Sequence, residues 1–373
     1  MSKQMAVPSN AESPSEEAEE ATPSPLQGPD SNAFMLEMLE MASAQMPVGE
    51  DQLALDADDP GLGGGADEAV ADLSPAWAAS PAEQVAAPEA ETAVDPGMFD
   101  VPEGKDQPTP LPGVRDKHKD TATWKEPEGA AAFVKGAGDT NEVDPNDVAQ
   151  GSLGDCYLIA GMLAVARANP ELIKKLIKDN GDGTFDVTMY VRESATSRPK
   201  PVVKTVDGRL ATGPSGNPLY AKAGDKGGGK TELWTALIEK RVAMEKGSYE
   251  QISGGNIGKD GFHFAGATEM LTGKPEGYFA TAGMSADDAL LRIAIALDEK
   301  KPVTCDTKDM EKLPDMAKEA EPFNVHGNHA YAPLSVDLDG GKISLSNPWG
   351  SDNVDALPVK KFLEWYRGIR VGG

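Results

Sequence analysis

Thiols are scarce in this chain. Its 373 residues hold two cysteines, Cys156 and Cys305, with no spacing that suggests a disulfide framework. A disulfide-stapled scaffold is therefore excluded, and a reducing compartment is acceptable. Long apolar runs are absent too: no stretch approaches the roughly 18 residues that a transmembrane helix needs, so no membrane partner is expected. The opening residues, MSKQMAVPSNAESPSEE, lack the apolar centre of a signal peptide. That leaves the cytoplasm, or export without a cleavable signal, as the expected location. Basic residues are missing from positions 1–100 apart from Lys3, against 21 Asp and Glu, and the whole chain has a net charge of −26. Nucleic-acid binding requires a clustered basic face, so that class is excluded as well.

What is present divides sharply. Residues 1–124 are rich in Ala, Pro, Gly and Ser as well as acid, and read as a disordered extension ending in a mixed-charge linker over 101–125. Such a segment has too little apolar surface to offset the entropy of ordering it. SNAFMLEMLEMASAQM (31–46) interrupts it with a capped, apolar stretch that reads as a nascent helix able to dock. Beyond residue 125 the patterns are globular. DCYLIAGMLAVARA (155–168) is apolar almost all round and predicts a buried helix. TFDVTMYVRE (184–193) and KPVVKTVDG (200–208) predict strands, and TELWTALIEKRVAMEKG predicts a helix with Thr231 as N-cap. SADDALLRIAIALDEKK (285–301) predicts a helix capped by Ser285, and AYAPLSVDLDGGKISLSN (330–347) a hairpin turning at residues 339–341. Helices with an early sheet and later strands imply an α+β fold of two lobes.

GDKGGGKT (224–231) satisfies the phosphate-binding loop pattern, and IAIALDE (293–299) imitates the acid-tipped strand that would hold magnesium. Context weakens both. A phosphate loop needs a buried apolar strand just upstream, where GNPLYAKA stands instead, and IAIALDE lies inside a capped helix. A flexible Gly/Lys connector accounts for the string.

Chemistry gathers at QGSLGDCYLIA (150–160). A cysteine there could be a small core hydrophobe. It could equally be a nucleophile, for which a thiol needs deprotonation, a positioned base and donors for an oxyanion. Cys156 falls in the first turn of its helix, where the macrodipole favours thiolate. Gly151 and Gly154 permit close approach of substrate to backbone, and the Gln150 amide suits an oxyanion hole beside the Cys156 N–H. Of the four histidines, His118 sits in the charged linker and His263 between aromatics. His326 and His329, in HGNHAYAP, remain; as a metal pair they have no carboxylate or thiol partner spaced with them. His329 abuts a strand and is the better base. Asn347 closes the returning strand, where its amide would need a partner and could orient an imidazole. A tight turn leaves Asn347 opposite about residues 332–334, so a bulge would have to bring it nearer His329.

QGSLGDCYLIAGMLAVA resembles the nucleophile segment of calpains, cysteine proteases with a split papain-like core. ELWTALIEKRVAMEKGSYEQISGG (232–255), GFHFAGATEMLTG, NHAYAPLSV, SLSNPWG and KKFLEWYRGIRV are similar to that family's segments in the same order, from about residue 125 to 373. The resemblance implies a papain-like fold with a first lobe over 125–228 and a second over 229–373. It implies Cys156 as nucleophile, Gln150 as oxyanion donor, His329 as base and Asn347 as its orienter, with Trp349 and Gly154 lining the cleft. Cys305 matches an inert core position. Protein substrates and peptide-bond hydrolysis through a thioacyl-enzyme follow, with a latent or non-catalytic interaction module controlled by the acidic tail as the rival. Tyr157 stands where the family has tryptophan, and Asn328 where it has glycine. Calcium is implied by the family but thinly supported: Asp147 fits one ligand position, GPSGNPLY (213–220) lacks the acid to join it, and Asp352 and Asp355 read as solvated. No metal or other cofactor is required by the residues themselves. Because the resemblance runs to the last residues given, the family's downstream regulatory or EF-hand domains are not expected.

Overall fold

The computed structural model describes residues 111–373, apart from 195, 223, 225, 228 and 256–265. The acidic extension, the 31–46 segment and His263 lie outside the described residues. The helices are α1 (Cys156–Ala168), α2 (Pro170–Leu176), α3 (Trp234–Lys246), α4 (Tyr249–Ile252), α5 (Ala267–Thr272), α6 (Ala286–Asp298), α7 (Pro314–Ala320) and α8 (Val359–Trp365). The first strands are β1 (Thr123–Lys125), β2 (Ala130–Ala131), β3 (Ile177–Asp179), β4 (Thr184–Val191), β5 (Lys200–Asp207), β6 (Leu210–Thr212), β7 (Lys226–Gly227) and β8 (Lys230–Glu232). The later ones are β9 (Glu276–Ala280), β10 (Val303–Thr307), β11 (Ala330–Asp337), β12 (Lys342–Ser346), β13 (Val354–Pro358) and β14 (Tyr366–Gly372). The α+β class expected from the pattern is what the chain adopts.

Two cores organise these elements. The first gathers Leu158, Ile159 and Met162 of α1, Phe185 and Val187 of β4, and Trp234, Leu237 and Ile238 of α3. The second joins Leu290 and Ile293 of α6 to Cys305, Tyr331, Leu345, Trp365 and Ile369. It is built on a six-stranded sheet of order β13-β12-β11-β10-β14-β9. Because α3 to α5 pack into the first core, we draw the division between lobes between α5 and α6 rather than at 228/229. Ala332 of β11 belongs to the first core, and α1 packs directly on β11 and β10. The helix that Cys156 opens thus packs against elements of both halves.

Several local expectations hold for their stated reasons. Ser285 caps α6 by accepting the Asp288 N–H, with Asp287 and Asp288 in the first turn. Gly247 ends α3 at φ +87°, a conformation that glycine adopts without penalty. Thr231 does not cap α3, which starts three residues later; it lies in β8 and its hydroxyl donates to the Glu128 carbonyl. The phosphate-loop string leads from β7 into its antiparallel partner β8, not from a strand into a helix, and IAIALDE lies in α6 with its tail. Neither half of the nucleotide reading survives. The 111–125 stretch is not a free linker either. Gly113 exchanges backbone bonds with Gly247 and Tyr249, the Arg115 N–H donates to Tyr220 Oη, and His118 lies 3.4 Å from that same hydroxyl.

The hairpin of β11 and β12 carries the bulge that the residue count demanded. Pairing runs Val336 with Ile343 and Ser335 with Ser344, then shifts so that Pro333 faces Leu345 and Ala332 faces Ser346. Leu334 is the extra residue. Its insertion moves Asn347 one step along β11, toward Tyr331 and closer to His329.

Gly151 shows how tightly the nucleophile loop is seated. Ser152 and Lys222 form backbone bonds that lay 149–152 along 219–222, and a Cβ at Gly151 would sit 1.9 Å from the Tyr220 carbonyl oxygen. The close approach is to the chain's own backbone, not to substrate as the sequence suggested. Gly151→Ala should therefore lower unfolding free energy by about 1–3 kcal/mol or more. Urea denaturation checks this; a wild-type midpoint would contradict the close contact.

Candidate active site

Asn347 is held from several sides. Its backbone N–H donates to Asn353 Oδ1 at 2.9 Å, and its Nδ2 donates to the Asp352 carbonyl at 3.3 Å. That leaves Oδ1 as an acceptor, bonded by the Trp349 N–H at 3.1 Å and by His329 Nε2 at 2.9 Å. With Nδ2 committed to a carbonyl, the ring nitrogen facing Oδ1 must be the protonated one. His329 is consequently the Nε2–H tautomer, and its Nδ1 carries a lone pair. Two side chains invisible to motif reading support this arrangement. Thr307, at the end of β10, donates its hydroxyl to the His326 carbonyl at 2.7 Å and accepts the His329 N–H at 2.9 Å. Arg167 of α1 donates to the Pro333 carbonyl at 2.7 Å and to Ser346 Oγ at 2.8 Å.

Asn328, in place of the family's glycine, takes φ +51°. Asparagine tolerates the left-handed region better than most side chains, so the turn before His329 survives the substitution. Trp349 packs its ring on both His329 (centroids 4.8 Å apart) and His326 (4.5 Å) while remaining partly exposed.

Cys156 opens α1 and is partly exposed. The N–H of Ala330, the residue after His329, favours its thiolate, as does the Tyr157 N–H. Burial is the larger influence and pushes the thiol up to about 11, with the Asp155 and Asp306 charges adding to the rise. Tyr157 donates its hydroxyl to the Ile252 carbonyl at 3.1 Å. Cys305 is wholly buried in β10, and burial raises its thiol well above the ordinary range.

Gln150 is buried in the same loop, with its Nε2 donating to the Leu153 carbonyl at 2.6 Å and to Asp155 Oδ1 at 3.3 Å. Both amide hydrogens are thereby committed inside the loop. Its backbone N–H donates to the Pro348 carbonyl at 2.8 Å, tying the nucleophile loop to the Asn347 turn. Asp155 shares its buried site with Glu239, whose two oxygens accept the Ala221 N–H. Burial raises both carboxyls, Asp155 to about 6, and the Asp155 charge holds Glu239 higher. Glu239 is accordingly the protonated member, and its proton supplies the donor that Asp155 Oδ2 otherwise lacks. Gly154, exposed on the loop surface, accepts the Gly254 N–H at 2.7 Å.

The acid beside Asp147 comes from Glu232, at the end of β8, not from 213–220. Asp147 Oδ2 accepts the Asp144 N–H and Trp234 Nε1–H, Oδ1 has no donor among the described residues, and burial raises the carboxyl to about 6. Calcium takes about six to eight oxygens. Among the described residues no group of three or more His, Cys, Asp or Glu is gathered for a metal ion. This pair falls short of a calcium shell by itself. Asp352 and Asp355 are exposed, and Asp352 contributes its carbonyl to Asn347 rather than its carboxylate to a cation.

Burial holds the His329 imidazole down at about 4 from its ordinary 6.5; His326 adds to the lowering and the Asn347 bond opposes it. A group depressed on folding takes up protons more readily when unfolded, so acid favours unfolding. The stability of keeping this ring neutral is complete above pH 6.5 and is lost as pH falls toward about 4. The linkage amounts to about 3 kcal/mol. In urea titrations the stability difference between wild type and His329→Gln should shrink by about that amount between about pH 7 and pH 4. A difference that stays constant over that range would contradict a buried neutral imidazole.

Comparison with known proteins gives a consistent result. The model of the calpain family cysteine protease matches residues 107–367. The chain is 28% identical over 219 residues to the calpain-1 catalytic subunit of Bos taurus, covering 55% of this chain and 27% of the relative. Calpain clp-4 of Caenorhabditis elegans is 27% identical over 214 residues (55% and 27%), and Calpain-B of Drosophila melanogaster 28% over 243 (61% and 24%). The chain thus spans about a quarter of the length of these curated relatives. Together the matched stretch and the fold it adopts place this chain in the calpain family of cysteine proteases.

Proposed function

We propose that the chain is a cysteine endopeptidase that hydrolyses protein substrates with Cys156 as nucleophile, His329 as general base and Asn347 as the residue that orients the base. The observation that carries this reading is the 2.9 Å bond from His329 Nε2 to Asn347 Oδ1. It leaves Nδ1 as the proton acceptor on a ring next in sequence to Ala330, whose N–H favours a thiolate at Cys156. In the first step the Sγ proton passes to Nδ1 and the sulfur attacks the scissile carbonyl carbon. The Cys156 N–H, at the helix start where it has no carbonyl four residues back, meets the developing oxyanion. The C–N bond then breaks as the proton on Nδ1 goes to the departing amine. Water next gives its proton to Nδ1 and its hydroxyl to the thioester, and sulfur recovers the proton as it leaves. Asn347 stabilises the imidazolium in both halves, and Trp349 shields the ring pair from solvent. No helix among the described residues is long and apolar enough to cross a membrane. A nucleophilic thiol suits a reducing compartment such as the cytoplasm.

A second reading rests on Gln150. With both amide hydrogens bonded to Leu153 and Asp155, its side chain must turn before it can serve an oxyanion. That favours a resting form which something else, the acidic extension or a cation, converts.

Cys156→Ala should abolish cleavage of a casein-type substrate and labelling by a thiol-directed epoxide, with the thermal midpoint within a few degrees of wild type. Undiminished cleavage would sink the assignment. Removing residues 1–100 and assaying with and without calcium separates the two readings. A constitutive enzyme gives equal rates in all four arms, whereas a gain on truncation or on adding calcium supports the resting form.

A further inference from the structure

Arg167, half-buried on α1, stands apart from the buried Lys240 and Arg241. Lys240 and Arg241 face Asp207 and Glu245, whereas Arg167 pairs with no carboxylate among the described residues. Its guanidinium bonds only a carbonyl and a hydroxyl. Burial lowers it to about 10, with Asp144 giving a weak opposing pull. Desolvating a cation for two neutral acceptors is costly, and an apolar side chain would fill the space without that cost. What an apolar residue lacks is direction.

The acceptors show what the direction is for. Arg167 follows Cys156 by eleven residues, about three turns, so the two lie on the same face of α1. That face rests on β11. At its front lies Cys156, whose thiolate is favoured by the N–H of Ala330, one residue after His329. At its rear the long arginine side chain, leaning back toward the helix start, reaches Pro333 beside the bulge and Ser346, the residue before Asn347. One guanidinium therefore grips both strands of the hairpin, from the helix that carries the thiol.

We propose that Arg167 is a positioning residue for catalysis, whose two bonds fix the hairpin lengthwise on α1 so that His329 meets Cys156. The proposal rests on the reading of Cys156 as nucleophile and His329 as base. The bonds act on the lobe-to-lobe register rather than on either lobe's own core: Arg167 belongs to the first lobe, Pro333 and Ser346 to the second.

The test measures two things in the full chain: the pH dependence of Cys156 alkylation by iodoacetamide, with the label located by mass spectrometry, and kcat and KM for peptide cleavage. The variants are Arg167→Met, Arg167→Lys, Ser346→Ala and His329→Ala. His329→Ala should lose the reactivity below the thiol's own titration that proton transfer to the neutral imidazole gives, leaving a profile that rises only at high pH. Arg167→Met should shift toward that profile and lower kcat about 10- to 100-fold with little change in KM. Arg167→Lys, which keeps the charge but cannot fork to both acceptors, should recover part of the loss. A folded Arg167→Met with the wild-type profile and kcat would overturn the proposal. Should that variant fail to fold, Ser346→Ala removes one acceptor while leaving the guanidinium in place. A smaller shift in the same direction supports the latch, and a wild-type profile overturns it. If His329→Ala itself keeps the wild-type profile, the base assignment fails and the proposal goes with it. If only the Arg167 and Ser346 variants keep it, the latch alone fails.

Discussion

The contact between Asn347 and His329 is short-range, but most of the site depends on it. A carboxamide offers one acceptor and one donor end, and here the donor end is taken by the Asp352 carbonyl. The acceptor must then face the ring, which makes Nε2 the protonated nitrogen and Nδ1 the basic one. The turn from 348 to 352 serves this geometry, with Gly350 and Asp352 both at positive φ. Trp349 closes it by donating its N–H to the same Oδ1 while its ring covers His329. Pro348 carries the constraint onward by accepting the Gln150 N–H, so the loop before Cys156 is fastened to the turn that holds the base.

Burial sets the electrostatic state around this contact. The Cys156 thiol is pushed up and the His329 imidazole down, so the resting pair is neutral. On the proposed mechanism, transfer of a proton from sulfur to Nδ1 leaves the net charge unchanged, but burial disfavours the resulting ion pair, so its formation depends on local donors and acceptors. The helix start and the Ala330 N–H favour the thiolate half, and Asn347 the imidazolium half. Beneath them Asp155 and Glu239 hold one proton between them, which limits the negative charge under the thiol to a single carboxylate.

Much of this was legible in the residues. Cys156 at the head of an all-round apolar helix, the Ser285 cap, the β4–β5 pair and the hairpin follow from periodicity and capping, which act over a few residues. The need for a bulge followed from counting. What escaped is of another kind. Glu232 beside Asp147, Thr307 under the histidine loop and Arg167 on the hairpin are contacts between side chains and distant partners, and no local pattern encodes them. The Arg167 bonds span 166 and 179 positions. Thr231 fails as a cap for the same reason, its hydroxyl being drawn to Glu128, 103 residues away. The docking of 111–125 was hidden because its charged composition resembles a linker, while its bonds to Gly247, Tyr249 and Tyr220 are mostly made by backbone groups.

The departures from the family's pattern at positions 328 and 157 leave this arrangement in place. At position 328 the requirement is a left-handed backbone, which asparagine tolerates better than most side chains. At position 157 it is an aromatic wedge beside the thiol, and tyrosine adds a hydroxyl that finds the Ile252 carbonyl. In each case the constraint falls on a backbone angle or on an available acceptor, not on the name of a side chain. On the proposed mechanism, the positions that tolerate no such exchange are those where one functional group must present a specific atom: a sulfur at the start of α1, a lone pair on Nδ1, and an amide oxygen turned toward the ring.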